Sequence, residues 1–291
     1  MNKKTSLIFQ ILLLGIVLVV QSGCIKKTTR LSPDQVLLPA KTATRAELFE
    51  NLRASSDRIK TLKGSVSLDL TKGGPKSGVL DEYRQTKGYV VVERPSHIRI
   101  QVQMPLVLTT VAVMVSDGKE YKVSIPVKNQ FAIRDIDAPV DPRSTFSSLR
   151  PQIFLDGLFV DINPYLDNPN IKAPLFEESQ VGVRSFYVFS FFDASAAEPQ
   201  LVEKIWIDRQ DLRVAKKQVF GKDGRLETDV DYQEYREEGG VAVPNVISIH
   251  RPIEDFSVRM TFTDRTINES LEAKVFELPL PEGANLVQVA K

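Results

Sequence analysis

Cysteine and histidine are nearly absent from this sequence. Its 291 residues include one cysteine, Cys24, and two histidines, His97 and His250. A single cysteine excludes an internal disulfide and a cysteine-based zinc site. Each histidine lies beside an Arg-Pro dipeptide near the end of a predicted strand. Such histidines are normally solvated or hydrogen-bonded, and a metal or catalytic role is the less favoured alternative.

An excess of charge of one sign is also missing. The chain has 38 basic and 37 acidic residues, for a net charge of +1. This balance gives no electrostatic footprint for nucleic acid. The spacings H-E-x-x-H and G-x-S-x-G do not occur either. We therefore expect a protein that is not an enzyme, that holds no cofactor or metal, and that does not bind nucleic acid.

The N-terminus has the three layers of a secretory signal peptide. A basic start, "MNKKTS", precedes an apolar run over residues 7–20, and small residues then lead to Cys24. The run is shorter than the roughly 20 apolar residues that span a membrane. The sequence predicts a signal peptide over 1–23, and an uncleaved anchor with Cys24 as an incidental thiol is the alternative.

Cys24, directly after Ser22 and Gly23, resembles the lipobox of bacterial lipoproteins. The resemblance implies cleavage before Cys24 and acylation of that residue, although Gln21 stands where the family usually has Leu. Two or more acyl chains anchor a protein firmly. Ile25 is compatible with sorting to the outer membrane. We expect a lipid-anchored protein of the cell envelope, facing the periplasm, with residues 24–41 as lipidated cysteine and flexible tether.

Residues 42–291 are predicted to form one domain. Thr44 and Glu47 form a capping box, and an apolar face continues to Leu62, so the pattern predicts a helix over about 45–62 that stops at Gly64. Ten or so segments follow in which apolar and polar residues alternate, and each is predicted to be a strand. Two of these strands form a hairpin that turns at Asp117-Gly118. The pattern indicates an α+β fold, mainly β, with a single strongly curved antiparallel sheet.

One internal segment breaks the succession of strands. Residues 141–176 combine a short predicted helix near 149–157 with irregular chain rich in Pro and Asn. The segment is markedly apolar, with Leu149, Ile153, Phe154, Leu158 and Phe159. We expect it to lie against the concave side of the curved sheet.

Residues 88–123 resemble the lipoprotein-localisation family, the periplasmic carrier LolA and its outer-membrane receptor LolB. The matching features are Arg94-Pro95, Pro105 and "SDGK" at 116–119, and residues 273–287 resemble the Pro-rich end of the carrier. The lipobox favours the receptor. The resemblance implies an unclosed half-barrel with a helical lid, a monomer whose apolar cavity holds acyl chains, and a periplasmic carrier protein as a further partner.

The resemblance also implies roles for particular residues. Arg94 matches the arginine that holds the lid shut in the carrier, and the alternative is an ordinary arginine at a strand end. Pro105, Leu106, Val107 and Leu108 match the loop with which the receptor touches the membrane, and the alternative is packing in the core. The candidates for the cavity lining are Ile98, Ile100, Val102, Phe154, Phe159 and Trp206.

Two functions follow from these patterns. The first is a membrane-anchored lipoprotein that binds acyl chains and accepts or inserts lipoproteins or lipids at the outer membrane. The alternative is an envelope sensor or interaction lipoprotein that binds a protein partner through the same fold. Glu227, Asp229 and Asp231 alternate along one predicted strand. They would suit calcium, but a solvated sheet face is the favoured interpretation.

Overall fold

The computed structural model describes residues 39–74, 78–104, 109–138 and 150–287. These residues form one 14-stranded sheet with three short helices in the described part. The helices are α1 (Arg45–Arg58), α2 (Pro151–Leu158) and α3 (Asn163–Leu166). The strands are β1 (Thr61–Gly74), β2 (Val79–Glu93), β3 (His97–Gln103), β4 (Thr110–Ser116), β5 (Glu120–Ile125), β6 (Gln130–Asp135), β7 (Leu175–Val181), β8 (Arg184–Asp193), β9 (Gln200–Asp208), β10 (Val214–Phe220), β11 (Leu226–Glu238), β12 (Val241–Arg251), β13 (Phe256–Ile267) and β14 (Asn285–Leu286).

The strand order is that of two meanders joined side by side. It runs β14-β6-β5-β4-β3-β2-β1-β13-β12-β11-β10-β9-β8-β7. The meanders meet where β1 pairs with β13, with Leu68 opposite Met260. Neighbouring strands are antiparallel except that β14 pairs with β6 in parallel. The order does not close on itself, so the predicted unclosed half-barrel of mainly antiparallel strands is confirmed.

Helix α1 begins as the sequence predicts. The Thr44 hydroxyl accepts from the backbone N–H of Glu47 at 3.3 Å, and Glu47 Oε2 accepts from the backbone N–H of Thr44 at 2.8 Å. Each bond satisfies a backbone donor that has no partner inside the helix. Leu48 and Leu52, one turn apart, are buried. The capping box and the apolar face are therefore confirmed.

The predicted end of this helix is wrong. The helix ends at Arg58, and Leu62 belongs to β1, where it pairs with Ile267 and Val92. Gly64 lies inside the strand and is no helix stop; a Cβ there would stand 2.6 Å from the backbone oxygen of Asp264. Leu62 fits the helical period and the strand period equally well, and the paired neighbours decide between them.

The apolar segment between β6 and β7 covers one face of the sheet, which is called the inner face here. Ile153, Phe154, Leu158 and Phe159 of this segment are buried together with strand residues such as Val66 and Ile98. The described part of the segment, from Arg150 onward, thus packs against the sheet as predicted, with α2 displaced by one or two residues from the expected range. Residues 141–149, Leu149 among them, lie outside the described residues. Among the described residues, no helix is long and apolar enough to cross a membrane.

Candidate functional site

Two separate elements cover the inner face. Over β8 and β9, α1 packs Leu48 and Leu52 against a cluster that contains Tyr187, Phe189 and Ile205. Over the strands nearer the centre of the sheet, α2 and the residues after it pack into the first apolar cluster. The segment Pro151–Leu166, which contains α2 and α3, is called the lid below. Its removal would expose an apolar sheet face to water.

A cavity of about 150 Å³ lies where α1, the lid and the sheet meet. The lid contributes Leu158, Phe159 and Val160 to its wall. The rest of the wall comes from α1, from β9, β10 and the turn between them, and from β11 and β12. It includes Leu48, Leu52, Ile207, Leu212, Val214, Tyr232, Tyr235 and Val243. Pockets that enclose a small-molecule ligand have volumes of roughly 300–1,000 Å³. A long acyl chain therefore fits only if the lid moves.

Arg94 lies at the rim of this cavity and connects three elements. Its guanidinium forms an ion pair with Asp161 of the lid and donates to the backbone oxygen of Ile59, just after α1, at 3.4 Å. The same group lies 5.3 Å from the ring centre of Phe159. The Arg94 side chain is 16% exposed, so water screens the ion pair only in part. The arrangement joins the end of β2 to both covering elements.

A second set of polar contacts lies under the lid. Lys217 Nζ, on β10, donates to the backbone oxygen of Phe159 at 3.2 Å and lies 3.8 Å from Glu203 Oε2 on β9. The Tyr165 hydroxyl, on α3, donates to the same Glu203 oxygen at 2.8 Å. Lys217 and Glu203 are both buried. Two polar contacts thus fasten the lid to an otherwise apolar sheet face.

Burial raises the pKa of the Glu203 carboxyl above its ordinary value. Lys217 and the hydrogen bond from Tyr165 act in the opposite direction and favour the charged form. One oxygen, Oε1, has no hydrogen-bond partner among the described residues. A buried acid that is only partly satisfied is a site where a change of protonation alters the attachment of the lid.

The six candidates for the cavity lining lie in different places. Phe159 lines the cavity. Ile98, Ile100 and Phe154 are buried in the first apolar cluster, and Val102 packs against it. Trp206 lies on the opposite face of the sheet from Ile205 and Ile207, with its indole N–H donating to Gln218 at 3.0 Å. The structure thus brings Arg94 and Phe159 together at the cavity and places the other five candidates elsewhere.

Several residues of the site were not predicted from the sequence. Lys217, Glu203 and Tyr165 belong to strands or helices whose other inward residues are apolar or aromatic. The sequence carries no signal for Lys217, because the adjacent Lys216 and Lys217 do not show which of the two points inward. Cys24 and the loop Pro105–Leu108 lie outside the described residues.

Asp229 and Asp231 of β11 lie on the outer face of the sheet. Lys216 Nζ lies 3.0 Å from an oxygen of Asp229 and 3.1 Å from an oxygen of Asp231. Within the described ranges, no group of three or more acidic, histidine or cysteine residues is arranged to hold a metal.

Comparison with known proteins supports the fold. No family model matches the sequence, and no curated protein matches it significantly. A DUF1329 family protein from Desulfovibrio piger is 13% identical, with a TM-score of 0.52 over 79% of this chain and 95% of that one. A LolA superfamily protein from Nitrosomonas europaea is 12% identical, with a TM-score of 0.48 over 81% of this chain and 99% of that one. At 13% identity the likeness to the Desulfovibrio protein concerns the fold alone.

The raised pKa of Glu203 predicts how stability changes with pH. A raised pKa means that the folded protein holds this proton more strongly than the unfolded chain does. The resulting stabilisation is complete below the pKa that Glu203 has in the unfolded chain, and it is lost as the pH rises through the pKa that Glu203 has in the folded protein. We expect Glu203→Gln, which stays neutral, to gain stability relative to the parent protein as the pH rises above the unfolded-chain pKa of about 4.3, measured by urea unfolding.

The Glu47→Gln variant is the matched control, because its stability relative to the parent protein should change with pH in the opposite direction. Hydrogen bonds from Thr44 lower the pKa of Glu47, so this carboxylate stabilises the fold above its unfolded pKa. The Glu47→Gln variant should therefore lose stability relative to the parent as the pH rises. Parallel pH profiles for the Glu203→Gln variant and the parent would contradict the raised pKa.

Proposed function

We propose that this protein is a membrane-anchored lipoprotein that binds acyl chains on the inner face of the sheet and accepts or inserts lipoproteins or lipids at the outer membrane. The observation that carries the proposal is the lid over an apolar sheet face, held at its edge by the ion pair of Arg94 with Asp161. The same apolar face can pack against the lid or against an acyl chain. Binding and transfer require no catalytic group.

Acyl chains suit this site because they offer little besides CH₂ groups. Each CH₂ contributes about 0.8 kcal/mol when it leaves water. The chain would take the place of the apolar side chains that the lid now contributes, among them Leu158 and Phe159. The apolar area hidden from water then changes little on lid opening, and the polar contacts of the lid decide which state is favoured.

Arg94 is the residue that we propose holds the lid closed. Its contacts to Phe159 and Asp161 break when the lid leaves the rim, whereas its hydrogen bond to Ile59, just after α1, does not depend on the lid. The amount of bound lipid should therefore depend on Arg94. Transfer needs no energy source if each acceptor in turn binds the acyl chain more tightly than the donor before it.

Native mass spectrometry of the full chain, purified without removal of lipid, tests the function. We expect bound mass that organic extraction removes and that returns when a lipoprotein or fatty acid is supplied. Arg94→Met keeps the length of the side chain and loses the ion pair, and should raise the rate of uptake several-fold. Arg225→Met, at an exposed turn of the same sheet, should leave the rate unchanged. An inner face that stays empty in every case would refute the function.

We further propose that the loop Pro105–Leu108 touches the membrane during delivery. The neighbouring described residues support this position. Met104, Val79, Leu80 and Tyr83 are exposed, and the strand pairing places all four at the same end of the sheet as the loop. Exposed apolar side chains gathered at one end are typical of a membrane or partner contact.

A glutamate at Leu106 should impair delivery. Burying a charge in the bilayer interface costs free energy that leucine does not require. We expect Leu106→Glu to slow transfer of a bound lipid to liposomes at least tenfold while leaving lipid binding intact. Val181→Glu alters an exposed valine at the opposite end of the sheet and should transfer lipid at the parent rate. Equal rates for both variants would remove the loop from the mechanism.

The anchor is proposed to be the acylated Cys24. Its support is the signal peptide over 1–23 and the tether that follows it. We expect Cys24→Ser to leave the outer-membrane fraction for the soluble fraction of the periplasm when cells are fractionated, because the acyl chains are lost. A Cys24→Ser variant that stays membrane-bound would instead support an uncleaved anchor over residues 7–20.

A protein-binding role is the second candidate, and one observation favours it. Strand β7 ends the strand order, so the backbone groups along one side of it face no further strand in the part of the chain that the structure describes. Leu175 and Val181 at its two ends are more than half exposed. An unpaired edge of this kind can take up an extended peptide as an additional strand. Co-purification of one protein in equal amount, with no lipid, would favour this role.

A further inference from the structure

Lys217 is unusual among the lysines of the described chain because it is buried, with 4% of its surface exposed. It points to the inner face, whereas Lys216 beside it points to the outer face and pairs with Asp229 and Asp231. A lysine amino group is a hydrogen-bond donor only. Glu203 Oε2, at 3.8 Å, lies beyond hydrogen-bond distance of the Lys217 amino group. The buried amino group therefore needs another oxygen acceptor, because an unsatisfied buried donor is costly.

The acceptor that Lys217 now holds belongs to the lid. It is the backbone oxygen of Phe159, at 3.2 Å. Phe159 and its neighbours Leu158 and Val160 also form the lid side of the cavity. The cavity of about 150 Å³ is too small for a long acyl chain, so entry of such a chain displaces these residues. Displacement removes the Phe159 oxygen from Lys217.

We propose that Lys217 binds a carbonyl oxygen of the incoming acyl ligand, in the place that the Phe159 oxygen leaves. This inference rests on the proposed acyl-binding function and adds a chemical selectivity to it. The site would take acyl chains that carry a neutral ester or amide carbonyl, in preference to plain hydrocarbon. Lys217 then exchanges one carbonyl for another and is satisfied in both states of the lid.

A neutral carbonyl fits better than a carboxylate. The amide oxygen of Phe159 is itself neutral, so an ester carbonyl replaces it with an acceptor of the same kind. Glu203 already lies 3.8 Å from Lys217 Nζ and is buried. A ligand carboxylate would bring a second negative charge to the same amino group in an environment that screens charge poorly.

Three ligands of matched chain length test the selectivity: methyl laurate, laurate and tridecane. Each is incubated with the delipidated full chain, the protein is separated by gel filtration, and the bound compound is measured by gas chromatography. The readout is the ratio of ester affinity to hydrocarbon affinity. A lid that merely opens more easily raises both affinities together and leaves this ratio unchanged.

Lys217→Met should lower the ester-to-hydrocarbon ratio roughly tenfold, which corresponds to one hydrogen bond from a charged group. Lys216→Met, which alters the neighbouring lysine on the outer face, should leave the ratio at the parent value. Glu203→Gln combined with Lys217→Met removes the buried charge pair as a whole. This double variant keeps the test valid if the single variant fails to fold, because no unpaired buried charge remains.

The outcomes separate the inference from the function on which it rests. Binding of all three ligands with a ratio that Lys217→Met does not change would overturn the inference and leave acyl binding in place. Laurate bound more tightly than methyl laurate would also overturn it, since the acceptor would then be a carboxylate. No binding of any ligand to the parent protein would refute the function and the inference together.

Discussion

An antiparallel sheet that curves without closing leaves an apolar face with no second sheet to cover it. This is the constraint on which the rest of the structure depends. The strand order ends at β14 and β7 without a closing pair, so the inner face must be buried by elements that are not strands. Helix α1 and the lid meet this need, each over its own part of the sheet.

The lid differs from an ordinary core segment in how it is fastened. Arg94 with Asp161 at the rim, and Lys217 and Glu203 beneath, add specific polar contacts to apolar packing. Buried polar groups contribute less net stability than well-packed apolar groups of the same size. Their effect is to define one closed position, since each contact is lost together with the others when the lid moves. Contacts that are all made or all lost together suit the two states that the proposed exchange of a ligand requires.

The sequence predicts the covering elements and the alternating strands because apolar periodicity carries that information. It predicts Arg94 through a family resemblance, and the structure places that residue at the rim of the cavity. It does not predict Lys217, because two adjacent lysines in a strand give no sign of which one points inward. A change in strand alternation also limits what the sequence predicts about the cavity lining. Residues three positions apart in a regular strand point to opposite faces, yet Tyr232 and Tyr235 both line the cavity. Glu234 between them has a left-handed φ of 54°, where the alternation changes phase.

The balance between the two states of the lid explains why polar contacts control this site. The lid and an acyl chain would each bury a similar apolar area of the sheet. The free energy of that burial therefore largely cancels when an acyl chain replaces the lid. What remains is the difference between the polar contacts made in each state. Arg94 contributes to the closed state, while Lys217 finds an oxygen in either state if the ligand carries a carbonyl. Under the proposed function, Arg94 at the rim would govern how readily the lid opens, and the buried Lys217 would govern which ligand can hold it open.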